Sequence, residues 1–99
     1  MRKCFFCGHE VVFQRGKHEG ARGTAVPCDA CGHYELTPEA RACLRELDQK
    51  AKDALRDYIH ATHKPGSRDA AWIKTETILK VTGKTCTAVP RDEDDRLDN

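Results

Sequence analysis

Two short stretches decide the fold of this chain: CFFCGH at residues 4–9 and CDACGH at residues 28–33. Both follow one pattern, a pair of cysteines with two residues between them, then glycine and histidine. Two intervening residues let the chain turn so that both thiolates face one ion, and the glycine lets the backbone fold under the sulfur atoms. Together the two stretches predict a site at which four thiolates surround one metal ion.

One structural zinc ion is the predicted cofactor, and its predicted ligands are Cys4, Cys7, Cys28 and Cys31. Twenty residues separate the two pairs, a spacing within the range of four-cysteine zinc sites. Four thiolates complete a tetrahedral shell and leave no position for a catalytic water, so we expect a structural metal. Iron in a rubredoxin-like site is the alternative, but the usual aromatic and apolar packing around such an iron is thin here. His9 and His33 are expected near the site or exposed, not as ligands.

The composition explains why the chain needs such a metal. Of 99 residues, only 17 are Leu, Ile, Val or Phe, a share below the roughly 20% at which a chain begins to resemble a disordered one. Disorder of that kind also requires a large net charge, and this chain carries +1. The length allows one domain. A small domain this poor in large apolar residues is expected to need a cross-link or a partner.

The sequence also predicts where the protein resides. No apolar run approaches the roughly 18 residues that span a bilayer, and the first ten residues lack the apolar core of a secretory signal. We therefore expect a cytoplasmic protein without a membrane partner. In that reducing compartment paired cysteines bind metal more often than they form disulfides.

The predicted fold is a small α+β domain. A four-cysteine zinc ribbon at residues 1–36 is expected to contain a β-hairpin, with strands at 11–13 and 24–26, and a possible third strand at 34–36. A long amphipathic helix follows at 37–62. A short helical or mixed packing segment occupies 63–90, and an acidic tail occupies 91–99.

The helix predicted over residues 37–62 has clear signals at its start, with a hydroxyl cap from Thr37 and proline at the next position. Its apolar stripe recurs at steps of three and four residues. At 1.5 Å per residue the helix would be roughly 37 Å long, more than a 36-residue ribbon covers. The stripe must then meet the C-terminal segment, a second copy in a homodimer, or another protein. Its members are Ala40, Leu44, Leu47, Ala51, Ala54, Tyr58 and Ala61, and it is widened by Cys43, Leu55 and Ile59.

The C-terminal segment begins at the helix-ending Pro65-Gly66 pair. Residues 75–81 are predicted as a short helix capped by Thr75 and closed by Gly83. A strand over residues 73–82 remains the alternative, because apolar and threonine side chains alternate there.

The remaining cysteines are expected to have no catalytic role. Cys43 lies on the apolar stripe and is predicted to be packed, and Cys86 is predicted to be a surface or half-buried thiol. A second metal site formed by Cys86 with His60 and His63 is a minor alternative.

The segments CFFCG at 4–8 and VPCDACGHYELTPEA at 26–40 resemble the N-terminal zinc ribbons of many bacterial and phage-associated proteins. In those proteins a C-x2-C-G-x-Y-x-L-T segment leads directly into a helix. The resemblance covers roughly residues 1–60, and only the four cysteines carry over as functional positions. Such a ribbon usually precedes a larger effector domain. A ribbon and helix without one implies an adaptor, regulator or inhibitor.

The leading functional prediction is a zinc-stabilised, non-enzymatic protein-binding module that acts as a small regulator or inhibitor. A phage or mobile-element inhibitor of a bacterial defence complex fits this size and layout. Phosphate-binding loops, nucleophile elbows and metalloprotease motifs do not occur in the sequence. The alternative is a nucleic-acid-binding ribbon whose basic hairpin loop contacts phosphates. A net charge of +1 does not indicate strong, salt-dependent binding to nucleic acid. Candidate partner-binding residues are Arg15, Lys17, Arg22, Leu47, Tyr58 and Trp72.

Overall fold

A computed structural model describes residues 2–16, 23–62, 70–87 and 89–91. Within these ranges the chain has an α+β architecture, as the sequence predicts. Its strands are β1 (Arg2–Lys3), β2 (Glu10–Val11), β3 (Gln14–Arg15), β4 (Thr24–Cys28), β5 (Gly32–Leu36) and β6 (Ala71–Ile73). Its helices are α1 (Pro38–Leu44), α2 (Gln49–Thr62) and α3 (Thr75–Thr82). Among the described helices, none has the length and apolar character to cross a membrane.

The strands form two sheets. β1 and β2 pair as a short antiparallel ribbon, and the larger sheet has the order β3-β4-β5-β6. β4 and β5 pair antiparallel from Thr24 opposite Leu36 to Cys28 opposite Gly32. This register places the second cysteine pair at the tight turn of a hairpin. β6 then pairs with β5 in the parallel direction, and α1 and α2 provide the long connection that parallel pairing needs.

The strand predictions hold in part. The expected third strand at residues 34–36 is confirmed and begins earlier, at Gly32. The expected strand at residues 11–13 is wrong beyond Val11, because the chain leaves the ribbon at Val12 and Phe13 before β3 begins. Phe13 turns into the core and stacks on Phe5, with ring centroids 5.3 Å apart. The parallel strand β6 is not predicted from the sequence.

One face of the larger sheet supplies the core. Side chains alternate across a strand, and the register aligns Val26, Tyr34 and Ala71 in one buried row. Leu55 and Ile59 of α2 join the same core and are fully buried. The helices therefore cover this face of the sheet, while the alternate residues of β4 and β6 are half-buried.

The single helix predicted over residues 37–62 is wrong, because the chain breaks it between Leu44 and Gln49. In the break, the Leu47 N–H bonds to the carbonyl of Leu44 over a tighter turn. The carboxylate of Asp48 then accepts the Ala51 N–H at 2.9 Å and starts a second helix. The predicted cap at Thr37 is confirmed, since its hydroxyl accepts the Ala40 N–H at 3.1 Å.

The break also changes what covers the apolar stripe. Ala40, Leu44 and Ala51 are buried within the described chain, and α2 packs against α3. From the sequence, the stripe is expected to pack against the C-terminal segment, a second copy or another protein, and in the structure the C-terminal segment packs against it. Ala61, at the end of the stripe, is exposed. The length of the helix therefore no longer argues for a second copy.

The C-terminal segment forms a helix at Thr75–Thr82, and the strand alternative is wrong there. Gly83 closes the helix with a φ of 73°, a left-handed conformation that glycine adopts without strain. The cap differs from the prediction, since Lys74 precedes the helix and its N–H donates to the Thr77 hydroxyl at 3.3 Å. The predicted helix end at residues 65–66 and the tail at 92–99 lie outside the described residues.

A disulfide joins Cys43 to Cys86, with their Cα atoms 5.4 Å apart. The prediction of two separate thiols is therefore wrong, and Cys86 is not available for a second metal site. Beyond Gly83 the chain runs back to the end of α1. There the Glu46 carboxylate accepts the backbone N–H of Thr87 at 3.1 Å and its hydroxyl at 3.3 Å. The disulfide and these hydrogen bonds fasten the segment after α3 to α1.

Candidate metal centre

The four predicted ligands come together in the folded chain. One ligand atom from each of Cys4, Cys7, Cys28 and Cys31 lies within 4.8 Å of the other three, and this is the one such cluster found in the described residues. The Sγ atoms of Cys7 and Cys28 are 3.4 Å apart, and those of Cys4 and Cys31 are 4.0 Å apart. Four thiols without a carboxylate are a donor set for a thiophilic metal in tetrahedral geometry. The residues present therefore fit a four-thiolate metal ion.

Two separate hairpins supply the thiols. Cys4 and Cys7 lie in the loop between β1 and β2, and the second pair lies at the β4–β5 turn. Gly8 and Gly32, which follow the second cysteine of each pair, have φ angles of 78° and 105°. Residues other than glycine rarely adopt these φ angles. The first loop is closed by the Cys4 N–H, which donates to the His9 carbonyl at 2.8 Å. The predicted role of the two glycines is thus confirmed.

Tyr34 connects the two halves of the site. Its hydroxyl oxygen lies 3.1 Å from Cys4 Sγ and accepts the Phe5 N–H at 3.2 Å. Burial, together with the neighbouring Cys4 charge, raises the pKa of Tyr34 well above its usual range. The phenol therefore stays protonated, and toward a metal-bound Cys4 thiolate, which has no proton to give, its O–H would be the donor. Sequence reasoning did not identify Tyr34 as a site residue, although it occupies the tyrosine position of the C-x2-C-G-x-Y-x-L-T segment.

Burial also sets the protonation of the thiols. It raises the pKa of the Cys28 thiol to about 11 and raises that of Cys31 further. Burial acts in the same direction on Cys7, but hydrogen bonds from the His9 backbone and the neighbouring thiols lower the pKa of Cys7 overall. At neutral pH the deeper thiols are therefore protonated before a metal binds. A metal that binds as a tetrathiolate must release these protons, so its affinity rises with pH.

Arg41 fastens α1 to the first loop. It is 3% exposed, and its guanidinium carbon lies 5.7 Å from the Phe5 ring centroid and 5.4 Å from that of Phe13. One of its terminal nitrogens also donates to the Thr24 hydroxyl at 3.1 Å. A buried guanidinium on two aromatic faces fixes the aromatic residue that follows Cys4. The contacts between Arg41 on α1 and the two aromatic rings form only when the chain folds, so the sequence alone does not reveal them.

The other candidate residues lie apart from the cluster. His9 is exposed and His33 is half-buried, and neither belongs to the four-residue cluster. Among the candidate partner-binding residues, Arg15 is exposed on β3, whereas Lys17 and Arg22 lie outside the described residues. Leu47 and Tyr58 are half-buried against the hydrophobic core. Trp72 is half-buried on β6, where the Lys74 ammonium lies 4.5 Å from its ring centroid.

Removing the Tyr34 hydroxyl should weaken metal binding without dismantling the fold. In Tyr34→Phe the ring still packs on Phe6, whose centroid is 5.2 Å away, but the Cys4 sulfur loses its hydrogen bond. Losses of this kind lower metal affinity by about 10–100-fold. Competition with a chelator of known affinity measures the change. Tyr58→Phe removes the other tyrosine hydroxyl of the chain and is the matched control. An unchanged affinity in Tyr34→Phe would contradict this role.

Comparison with protein-family models, with curated proteins and with solved structures yields no match for this chain. The likeness to a zinc ribbon therefore rests on the four clustered cysteines and the two hairpins that carry them. These observations show an α+β fold with four cysteines placed to hold a metal ion.

Proposed function

We propose that this chain is a zinc-stabilised, non-enzymatic module that binds another protein and acts as a small regulator or inhibitor. The closed cluster of four thiols carries the proposal. Zinc suits this donor set because it prefers tetrahedral thiolate coordination and has no redox chemistry of its own. With all four positions filled by cysteine, no position remains for a substrate or a catalytic water. The metal then serves to hold the β1–β2 and β4–β5 hairpins together.

A structural metal leaves the function to the surface, and we favour the face of the larger sheet opposite the buried row of Val26, Tyr34 and Ala71. On this face the register aligns Ala25, Glu35 and Trp72 across β4, β5 and β6; Ala25 and Trp72 are half-buried, and Glu35 is buried. Leu47 and Tyr58 pack against the core, whereas the residues grouped with that core in the described chain do not include Trp72. Tryptophan is enriched among the residues that dominate protein interfaces. We therefore place the centre of the interface at Trp72.

The proposal is tested by capture with metal-loaded protein from a bacterial lysate, the source that the resemblance suggests. We expect a specific protein bound in stoichiometric amount, with its recovery reduced at least tenfold by Trp72→Ala, as for a residue that dominates an interface. Leu79→Ala is the matched control, because Leu79 is an exposed apolar side chain (46%) on α3, the helix that packs against α1 and α2. Recovery of nucleic acid alone would overturn the proposal in favour of phosphate binding. Capture that survives Trp72→Ala but not Leu79→Ala would overturn the placement of the interface.

A further inference from the structure

The four thiols of the metal centre are not equally accessible. Cys4 is 5% exposed, and Cys28 and Cys31 are 0% exposed, whereas Cys7 is half-buried. The residues that follow Cys7, at positions 8–10, are all exposed. A small molecule approaching from solvent therefore meets the Cys7 sulfur before the others.

The hydrogen-bond partners of the sulfurs also differ in burial, because the Cys7 sulfur is bonded by the backbone of exposed His9, whereas Cys4 and Cys28 have buried partners. The Cys4 sulfur receives the buried Tyr34 hydroxyl at 3.1 Å, and the Cys28 sulfur accepts the Cys31 N–H at 3.4 Å. Both contacts lie on the buried side of the centre and occupy sulfur lone pairs. The Sγ atoms of Cys7 and Cys28 lie 3.4 Å apart. Cys7 is the accessible residue of this pair, and Cys28 is buried. If a reagent from solvent modifies the Cys7 sulfur, the buried Cys28 sulfur therefore lies next to the modified atom.

We propose that Cys7 is a modification site for hydroperoxides and that Cys28 is the thiol that resolves the product. The proposal rests on the metal-bound thiolate state of the proposed function. It adds a reactivity that a purely structural metal centre would not need. Release of the metal would then follow from the chemistry of one accessible sulfur instead of from unfolding of the whole domain.

The chemistry balances in two steps. The Cys7 thiolate attacks one oxygen of the hydroperoxide, an S–O bond forms, the O–O bond breaks, and hydroxide or alkoxide leaves. The Cys28 thiolate then attacks the Cys7 sulfenic sulfur, an S–S bond forms and hydroxide leaves. The peroxide is reduced by two electrons and the two thiolates are oxidised to a disulfide. Joined in a disulfide, Cys7 and Cys28 would no longer serve as thiolate ligands, and only Cys4 and Cys31 would remain to hold a metal ion.

The experiment uses the full chain after its metal content has been measured. One equivalent of hydrogen peroxide is added, metal release is followed with a chromogenic chelator, and the modified cysteines are mapped by peptide mass spectrometry at early times. A sulfenic-acid trap added in a parallel reaction should label Cys7 first. Without the trap we expect a Cys7–Cys28 disulfide, with metal released at the rate of its formation. The existing Cys43–Cys86 disulfide adds no competing thiol.

Two matched variants separate reactivity from stability. Cys7→His preserves a ligand in a Cys3His set, a common structural zinc arrangement, and should slow peroxide-induced metal release at least ~10-fold because the exposed thiolate is gone. Cys4→His makes the same replacement at a buried position and should release metal at a rate within about threefold of the unmodified chain. If Cys7→His does not load metal, the peptide map of the unmodified protein decides.

The outcomes distinguish this inference from the proposed function. A chain that binds no metal contradicts the zinc centre, whatever the reactivity of its thiols. A metal-loaded chain whose first label appears at Cys4, Cys28 or Cys31 overturns the inference and leaves the zinc centre intact. Labelling of all four cysteines at one rate overturns it as well, since that result indicates opening of the whole site.

Discussion

Replacing Cys28 by serine should abolish metal binding and unfold the part of the chain that the two hairpins form. Cys28 is fully buried at the β4–β5 turn, and its sulfur lies 3.4 Å from Cys7 Sγ. A serine hydroxyl does not ionise to replace the thiolate. Structural zinc contributes about 10–16 kcal/mol of binding free energy in small sites, as much as the whole stability of an ordinary domain, about 5–15 kcal/mol. Without that contribution, a ribbon poor in large apolar residues should not fold.

The measurement combines metal content with circular dichroism and thermal unfolding. Asp29→Ser is the matched control, because Asp29 is exposed and lies beside Cys28 in the same turn. The control should bind one metal ion and melt like the unmodified chain, while Cys28→Ser and the chelator-treated protein should both lose the cooperative transition. A Cys28→Ser protein that retains the metal and the melting temperature would contradict a four-thiolate centre.

Reduction of the Cys43–Cys86 disulfide should lower the free energy of unfolding by about 4 kcal/mol, because the bond closes a loop with a sequence separation of 43 and a cross-link of that span restricts the unfolded chain. The bond also holds the segment after α3 against α1, where Thr87 bonds to Glu46. Urea unfolding of the oxidised and reduced protein measures the change. The metal content is checked before and after treatment, so that loss of the disulfide is not confused with loss of the metal.

Cys86→Ser is the control for this prediction, since it leaves buried Cys43 in place and should make stability independent of the reductant. A thiol titration of denatured, metal-free protein provides an independent check. Of six cysteines in the sequence, four are free in the structure, so four titratable thiols are expected before reduction and six after it. Six thiols before reduction, or equal stability of the two forms, would contradict the disulfide.

Local signals made the metal centre predictable. Two residues between cysteines and a following glycine constrain only a few bonds, so the pattern determines the turn at each knuckle almost without the rest of the chain. The left-handed conformations of Gly8 and Gly32 are a direct consequence. The cap at Thr37 and the helix end at Gly83 were predictable for the same reason. Each depends on hydrogen bonds within one turn.

The features that were missed depend on contacts between distant segments. The helix break at Asp48 follows from a carboxylate cap that looks like any exposed acidic residue in an amphipathic pattern. β6 is three residues long and pairs in parallel with β5, so its partner is not encoded nearby. The Cys43–Cys86 pair has no informative spacing. The Tyr34 contact with Cys4 spans 30 residues, and only the fold brings the two together.

The shortage of large apolar residues is met within the chain in several ways. Cys4, Cys28 and Cys31 belong to the same buried core as Phe6 and Tyr34, and half-buried Cys7 packs against it. The disulfide joins α1 to the segment after α3. The break between α1 and α2 lets Leu55 and Ile59 reach that core. Within the described residues, the sheet and the three helices thus share one core in a single chain.

X-ray absorption at the zinc edge, on protein purified without added metal, shows directly which atoms surround the metal ion. We expect one zinc ion per chain with four sulfur scatterers at about 2.3 Å, the distance of a zinc–thiolate bond. Tyr34→Phe should keep the same four-sulfur shell, since it removes the hydrogen bonds of the hydroxyl with Cys4 and the Phe5 N–H but none of the four thiols. A shell with nitrogen or oxygen scatterers, or a protein that binds no zinc, would contradict the four-cysteine centre.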